Sequence, residues 1–356
     1  MHPLGLTAEQ FATEYSHLKG EKRVLYRQLF RTGAAPGLKL DLPPITRRYC
    51  SESPEGDVVK FILGIGPHAS APVTTPLETE SVLIPMIGRG GISTYTLCLS
   101  SQVGCAMGCT FCETAQMGLI RSLEPHEIVA QWFAATHTIG IRPKNIVFMG
   151  MGEPLDNFEN VIAAIRILTD HNGAHAPMNK ITVSTVGRID GLKKLAAQIH
   201  NPGWHRLNLA VSVNAPNDEI RSQIMPINRG MPMAELREVL LAWPKYGGAK
   251  ICIEYVLIPG VNDKPEHAAQ LAEYVKPLPA CVNLIPYNPR RNSPWPAPQE
   301  SEVVHFMNLL ADAGAYVRRR RTKGRDMMGA CGQLGNPEIR RRKLVALTSD
   351  AASAIT

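Results

Sequence analysis

The sequence predicts an α/β fold: a partial (β/α)6 barrel with a short N-terminal helical/β extension. Three observations predict it. Past the middle of the first half, short β-rich apolar runs alternate with amphipathic stretches of helical length, about six units in all, and repeated βα units make a parallel sheet with helices outside. The candidate functional residues Gly152-Glu153-Pro154, Ser184, Ser212 to Asn214 and Tyr287-Asn288-Pro289 fall at or just after the ends of strands, where such sheets and barrels carry their chemistry. Finally, 356 residues with 44% hydrophobic content suffice for one large domain with a small attachment, or for two domains.

The elements follow in order. Residues 8–18 and 22–30 have apolar residues at helical spacing, giving a short helical appendage over 1–47 with the Gly/Pro-rich stretch 31–44 as linker. A β-rich extension over 48–97 holds two strands, 57–63 (DVVKFIL) and 80–85 (ESVLIP), separated by the proline-bearing loop 64–79. The barrel spans 98–322. It opens with a cysteine loop and helix 125–139, then strand 145–149 with the loop 150–154, helix 161–169, strand 181–184 and helix 189–199. Strand 207–213, helix 233–246, strand 250–257, helix 267–275, strand 282–286, helix 302–313 and a last strand 316–319 complete it. Residues 323–356 are a basic C-terminal segment. There is no internal repeat and no low-complexity tract.

The net charge of +7 is concentrated: residues 317–343 hold ten Lys/Arg and two acids, leaving the rest near neutral. A focused basic segment suits a polyanion; it also suits a solvated charged face. The eight cysteines, with no basic and apolar leader at the start, read as reduced thiols of a cytoplasmic protein. No apolar run approaches the ~18 residues of a membrane span.

The most specific feature is Cys105-x-x-x-Cys109-x-x-Cys112, in the run SQVGCAMGCTFC. Three thiolates this close can hold three corners of a cubane iron–sulfur cluster and leave the fourth iron open. A zinc site is the alternative, but structural zinc favours four ligands in paired arms, and no second arm follows at a matching spacing. An odd number of crowded cysteines cannot all pair as disulfides. The spacing is the signature of radical S-adenosylmethionine (SAM) enzymes.

Four longer runs carry a narrower resemblance: TLCLSSQVGC (96–105), FMGMGEP (148–154), SVNAPND (212–218) and ACGQL (330–334). With these, residues 55–336 resemble the RlmN/Cfr adenosine C2/C8 methyltransferases of the radical SAM superfamily. The resemblance implies a radical SAM partial barrel. It implies that Cys105, Cys109 and Cys112 hold a [4Fe-4S] cluster and that Gly152 and Glu153 meet the SAM ammonium, a sensible partner for a carboxylate. Ser184, Ser212, Val213, Asn214 and Asn288 would line the rest of the SAM pocket. Cys331 corresponds to the cysteine that becomes S-methylated, Cys98 to its resolving partner, and Glu80 to the proton acceptor. Read alone, Glu80 is also an ordinary surface acid and Cys98 an inert packing thiol. Cys331, among Gly329, Gly332 and Gly335, sits in a sequence that reads as flexible, and the nearby arginines should lower its thiol pKa. Cys50, Cys252 and Cys281 are assigned to packing.

An adenine ring carbon will not attack the SAM methyl in a simple displacement. The resemblance implies two SAM molecules per turnover: one methylates Cys331, the other gives a 5′-deoxyadenosyl radical that activates that methyl for addition to the ring. Glu80 then takes the ring proton, and Cys98 attacks the Cys331 sulfur, forming a disulfide and freeing the product. The implied substrate is an adenosine of large-subunit rRNA and, for some members, of tRNA, at C2 in most members and C8 in a rarer specialisation. A flavodoxin-type donor would supply electrons to a monomeric enzyme with no membrane contact. Some features depart from the family pattern: a short N-terminal region, a long segment at 86–95, a reduced acidic run before ACGQL, and Asn214 where histidine is common. Two other readings have distinct signatures. A non-catalytic RNA-binding iron–sulfur protein needs neither Cys98 nor Cys331, and a radical SAM enzyme of another substrate class needs no basic segment.

Overall fold

The computed structural model describes residues 1–66, 76–88, 90–244, 246, 250–336 and 338–339. Most of the expected loop 64–79 and the basic residues Arg340 to Lys343 therefore lie outside the described residues. Helices α1 (Ala8–Glu14) and α2 (Lys22–Thr32) open the chain. A Thr7/Gln10 capping box starts α1, and Gly33, at φ 83°, ends α2. Both helices dock on the outside of the barrel. Phe30 of α2 packs against Trp132 of α4 (Pro125–Phe133) at 6.1 Å between ring centroids, and Asp170 accepts a 2.8 Å bond from the Ala8 amide.

Strands β1 (Ile45–Ser51), β2 (Val58–Ile65), β3 (Leu77–Ile87) and β4 (Ser93–Cys98) form an antiparallel meander. From β4 the sheet turns parallel, through β7 (Asn145–Phe148), β8 (Ile181–Thr185), β9 (Asn208–Ser212), β10 (Ile251–Leu257), β11 (Ala280–Pro286) and β12 (Val317–Arg319). Among the described residues these strands make one ten-stranded sheet, and β1 and β12 are its unjoined edges. Helices α4, α5 (Phe158–Thr169), α6 (Ile189–Ile199), α8 (Met233–Leu241), α9 (Pro265–Val275) and α10 (Glu300–Asp312) make the crossovers between successive parallel strands. The result is the expected (β/α)6 partial barrel, and the extension's strands continue its sheet. A small hairpin, β5 (Gln102–Val103) with β6 (Arg121–Ser122), brackets the cysteine loop and the short α3 (Glu113–Gln116); α7 (Asp218–Ile224) follows β9.

Several boundaries differ from expectation. The segment 86–95 is the β3–β4 hairpin. The helix expected over 125–139 is α-helical only to Phe133 and ends in a π-helical turn, Ala134–Thr138. The one expected over 233–246 stops at Leu241.

Strand periodicity sorts the side chains. Ile146, Val183, Ile253 and Leu284 are buried beneath the helices. Their neighbours in sequence, such as Ser184, Glu254 and Ile285, face the lumen. A closed barrel of this kind fills its interior with layers of branched apolar residues. This open one does not, and cavities occupy the lumen.

Candidate active site

One cavity lies at the C-terminal ends of the parallel strands and encloses about 930 Å³ of empty space, part of it open to solvent. One wall is the cysteine loop. Gly104 (φ 76°) lets the chain turn so tightly that a Cβ there would lie 1.8 Å from the Gly118 carbonyl oxygen. The Cys105 amide donates to that same carbonyl at 3.1 Å, and the Cys112 amide donates to the Cys109 carbonyl at 3.1 Å. Cys105, Cys109 and Cys112 all line the cavity. Burial pushes each thiol up, and their mutual repulsion pushes Cys105 and Cys109 further. Buried thiols in this state are poor anions by themselves, and positively charged irons would reverse the balance. The donor set thus fits three corners of an iron–sulfur cluster. Among the described residues, no three His, Cys, Asp or Glu side chains are grouped as ligands of one metal ion.

The opposite wall comes from the turns after β7, β8, β9 and β11, as expected. Gly152 (φ 101°) passes so close to Gln102 that a Cβ would meet its Cβ at 2.6 Å. Glu153 follows, nearly inaccessible, with Oε1 accepting from the Leu155 amide at 3.0 Å and Oε2 from the Val186 amide at 2.9 Å. Burial pushes its pKa up to about 7, against the pull of those two bonds. Ser184, Ser212, Asn214 and Asn288 also line the cavity. Asn214 holds its place by accepting from the Val256 amide at 3.0 Å. Val213 does not line the cavity; its side chain is buried in the core, and its amide donates to the Glu254 carbonyl at 3.1 Å.

Cys331 and Gly332 form the rim. The segment carrying them is pinned, which corrects the expectation of a flexible one. The Glu113 amide donates to the Gly332 carbonyl at 2.7 Å, Thr114 Oγ1 to the Leu334 carbonyl at 2.6 Å, and Gln333 Nε2 to the Pro289 carbonyl at 2.9 Å. Asn288 donates to the Cys331 carbonyl at 3.3 Å and accepts from Arg325 at 3.0 Å. The pKa expectation is also corrected: burial raises the Cys331 thiol above its ordinary value, and Arg320 offsets this only in part.

Arg320 and Glu254 were missed from sequence. Glu254, mid-strand in β10, accepts from Ser184 Oγ at 2.9 Å and Ser212 Oγ at 3.2 Å. Arg320, just past β12, reaches Glu254 Oε1 at 3.8 Å and Met149 Sδ at 3.3 Å, and lines a small side cavity together with Cys331. Its charge acts on both Cys331 and Cys98. Cys98, at the end of β4, is buried; burial and the neighbouring Cys331 push it up to about 12, with Arg320 opposing. The two cysteines, remote in sequence, therefore share one neighbourhood around one guanidinium. Both are free thiols, and no disulfide joins them. Glu80 is buried but does not line the cavity. It pairs with Lys60 Nζ at 2.8 Å and accepts from the Gly335 amide at 3.1 Å, so it is tied to the Cys331 turn from behind.

The basic stretch is partly neutralised from within: Arg319 pairs with Glu300, while Arg321 and Lys323 pair with Glu55 at 3.3 and 3.2 Å. No helix among the described residues is long and apolar enough to cross a membrane.

The chain is similar to known proteins. Residues 99–272 match the Radical SAM superfamily. The probable dual-specificity RNA methyltransferase RlmN 1 of Protochlamydia amoebophila is 39% identical, across 96% of this chain and 95% of its own length. The probable RlmN of Akkermansia muciniphila is 37% identical across 94% and 96%. A crystal structure of a radical SAM methyltransferase from Sphaerobacter thermophilus superposes with a TM-score of 0.80 at 32% identity, covering 94% of this chain and 98% of that one.

Proposed function

Since the chain belongs to the RlmN RNA methyltransferases of the radical SAM superfamily, we propose that it methylates an adenine ring carbon of RNA through an S-methylcysteine at Cys331. C2 of an adenosine in large-subunit rRNA is the proposed target, with tRNA as a second substrate. The observation that carries this reading is the meeting of Cys331, the cysteine loop and Glu153 on one cavity, with Cys98 close behind Arg320.

A [4Fe-4S] cluster on Cys105, Cys109 and Cys112, with two SAM molecules per turnover, supplies the methyl group and the radical chemistry. The chain's own residues do the rest. Ionised Glu153 holds the SAM ammonium, with Gly152 admitting the close approach. Ser184, Ser212 and Asn288 present hydroxyl and amide groups around the remainder. The Arg320 guanidinium favours thiolate at Cys331 when it accepts the methyl, and again at Cys98 when it attacks the Cys331 sulfur. That attack breaks the bond between the Cys331 sulfur and the transferred carbon, which stays on the base and takes up a proton to become the methyl group, and makes a transient disulfide, which an external reductant reopens. Glu80 takes the ring proton after the Cys331 turn, to which Gly335 tethers it, shifts toward the cavity. The C-terminal segment from residue 323 carries the methyl-accepting cysteine and, with its cations, holds RNA phosphates while the base leaves its stack. The protein works in the cytoplasm as a monomer, reduced by a flavodoxin-type donor.

Cys331→Ala separates this from a radical SAM enzyme of another class. The variant should still cleave SAM reductively and should methylate no RNA. RNA methylation by Cys331→Ala would sink the proposal.

A further inference from the structure

A second cavity occupies the lower half of the lumen, between β12 and the N-terminal ends of the other parallel strands, and has about 1520 Å³ of empty space. Beyond Arg320 and Lys323, which border it, the catalytic reading assigns it nothing. We propose that it is a second RNA subsite, which receives a nucleotide flanking the target adenosine. The inference rests on the RNA reading above and deepens it.

Charge comes first. Lys180, Arg318, Arg319, Arg320, Arg321 and Lys323 line this space against a single lining carboxylate, Glu55. Glu55 is committed to Arg321 and Lys323, Arg319 pairs with Glu300, and Arg320 leans toward Glu254, which leaves Lys180 and Arg318 as the surplus. Among the described residues Lys180 has no ionic partner and Arg318 makes side-chain hydrogen bonds only with the Tyr316 hydroxyl. Such a surplus calls for a phosphodiester.

Next come the amides. Asn145, Asn179, Asn208 and Asn283 line the same space. Asn145 and Asn208 use their Nδ2 groups locally, on Thr96 Oγ1 at 3.2 Å and on the Asn179 and Ile181 carbonyls at 3.1 and 3.0 Å, which leaves their Oδ1 acceptors without a hydrogen-bond partner among the described residues. Paired amide donors and acceptors suit the edge of an unstacked base. An apolar ledge completes the mouth: Met86 is 44% and Ile87 55% exposed at the end of β3, beside the arginines. A base can lie on such a ledge while its phosphate meets Lys180.

Continuity with the active site is the last argument. Met149 lines both cavities, and Arg320, bonded to it, stands between them. One RNA strand can therefore place its target base above and a neighbour below.

The test uses the full-length, cluster-loaded protein and an RNA hairpin that the wild type methylates. Lys180→Glu and Asn283→Ala are compared with wild type for RNA affinity by fluorescence anisotropy over a salt series, for methylation across substrates varied at the flanking nucleotide, and for RNA-free SAM cleavage. Lys180→Glu should weaken binding about tenfold and lower the salt slope by about one. Asn283→Ala should relax the preference for the flanking base. SAM cleavage should stay at the wild-type rate in both, which also reports that the barrel is folded. Wild-type affinity, salt slope and flanking preference in both variants, with wild-type methylation intact, would overturn the subsite alone. Weaker binding of free mononucleotides by Lys180→Glu, with hairpin affinity unchanged, would overturn it in favour of a small-molecule site. A wild type that methylates none of the RNA hairpins offered would remove the RNA reading and this subsite with it.

Discussion

At the scale of single residues, Glu153 has the clearest pH signature. Its pKa of about 7 in the folded protein means that the neutral acid competes with the carboxylate near physiological pH. The SAM ammonium favours only the carboxylate, so binding pulls the group down and releases a proton below about pH 7. SAM affinity should therefore rise as pH rises through 7 and level off above it. Isothermal titration at pH 6, 7 and 8 checks this, and Glu153→Gln should bind weakly with no such slope. Glu153 was legible from its turn after a strand. Glu254 was not, because an acid inside ICIEYVL reads as one solvent-facing strand position unless the barrel's interior is known to be open. Arg320 was hidden among neighbouring arginines. Its neighbours Arg319 and Arg321 find carboxylates on other elements, whereas Arg320 reaches Glu254 and Met149.

Among the elements, the cysteine loop depends on backbone more than on side chains. The contact of Gly104 with the Gly118 carbonyl leaves no room for a methyl group, and φ of 76° disfavours any other residue. Gly104→Ala should displace Cys105 and lose most of the iron bound on reconstitution, read as iron per chain and by the loss of visible absorbance. The strands and helices of the barrel were legible because each helix shows one apolar face and each inner strand a short apolar run. Strand β1 was not. It is an exposed edge strand, ITRRYCS, whose arginines keep the edge from pairing with another chain and erase the apolar alternation that marks a strand. The β3–β4 hairpin was read as a long connection because β4, STYTLC, begins with small polar residues.

Across the whole molecule, the extension acts as the back of the active site. Lys60 of β2 and Glu80 of β3 form a pair with side chains only 4% exposed, Lys60 also donates to the Met328 carbonyl at 2.9 Å, and Glu80 holds the Gly335 amide. Sheet and C-terminal segment are thereby joined on both sides of Cys331. Lys60→Met strands a buried carboxylate and should cost about 3–5 kcal/mol in urea unfolding; adding Glu80→Gln should recover part of it. The sequence carried the identity of Cys98 and Cys331 through resemblance, but their proximity is a property of the tertiary fold, since β4 begins the parallel sheet and the Cys331 turn follows its last strand. The account as a whole depends on that turn delivering a nucleophile to the SAM cavity. Peptide mass spectrometry of protein purified from cells with its cluster assembled tests this directly. The account predicts one added methyl on Cys331, absent when Cys105 is replaced by alanine; an unmodified Cys331 in protein that methylates RNA would contradict it.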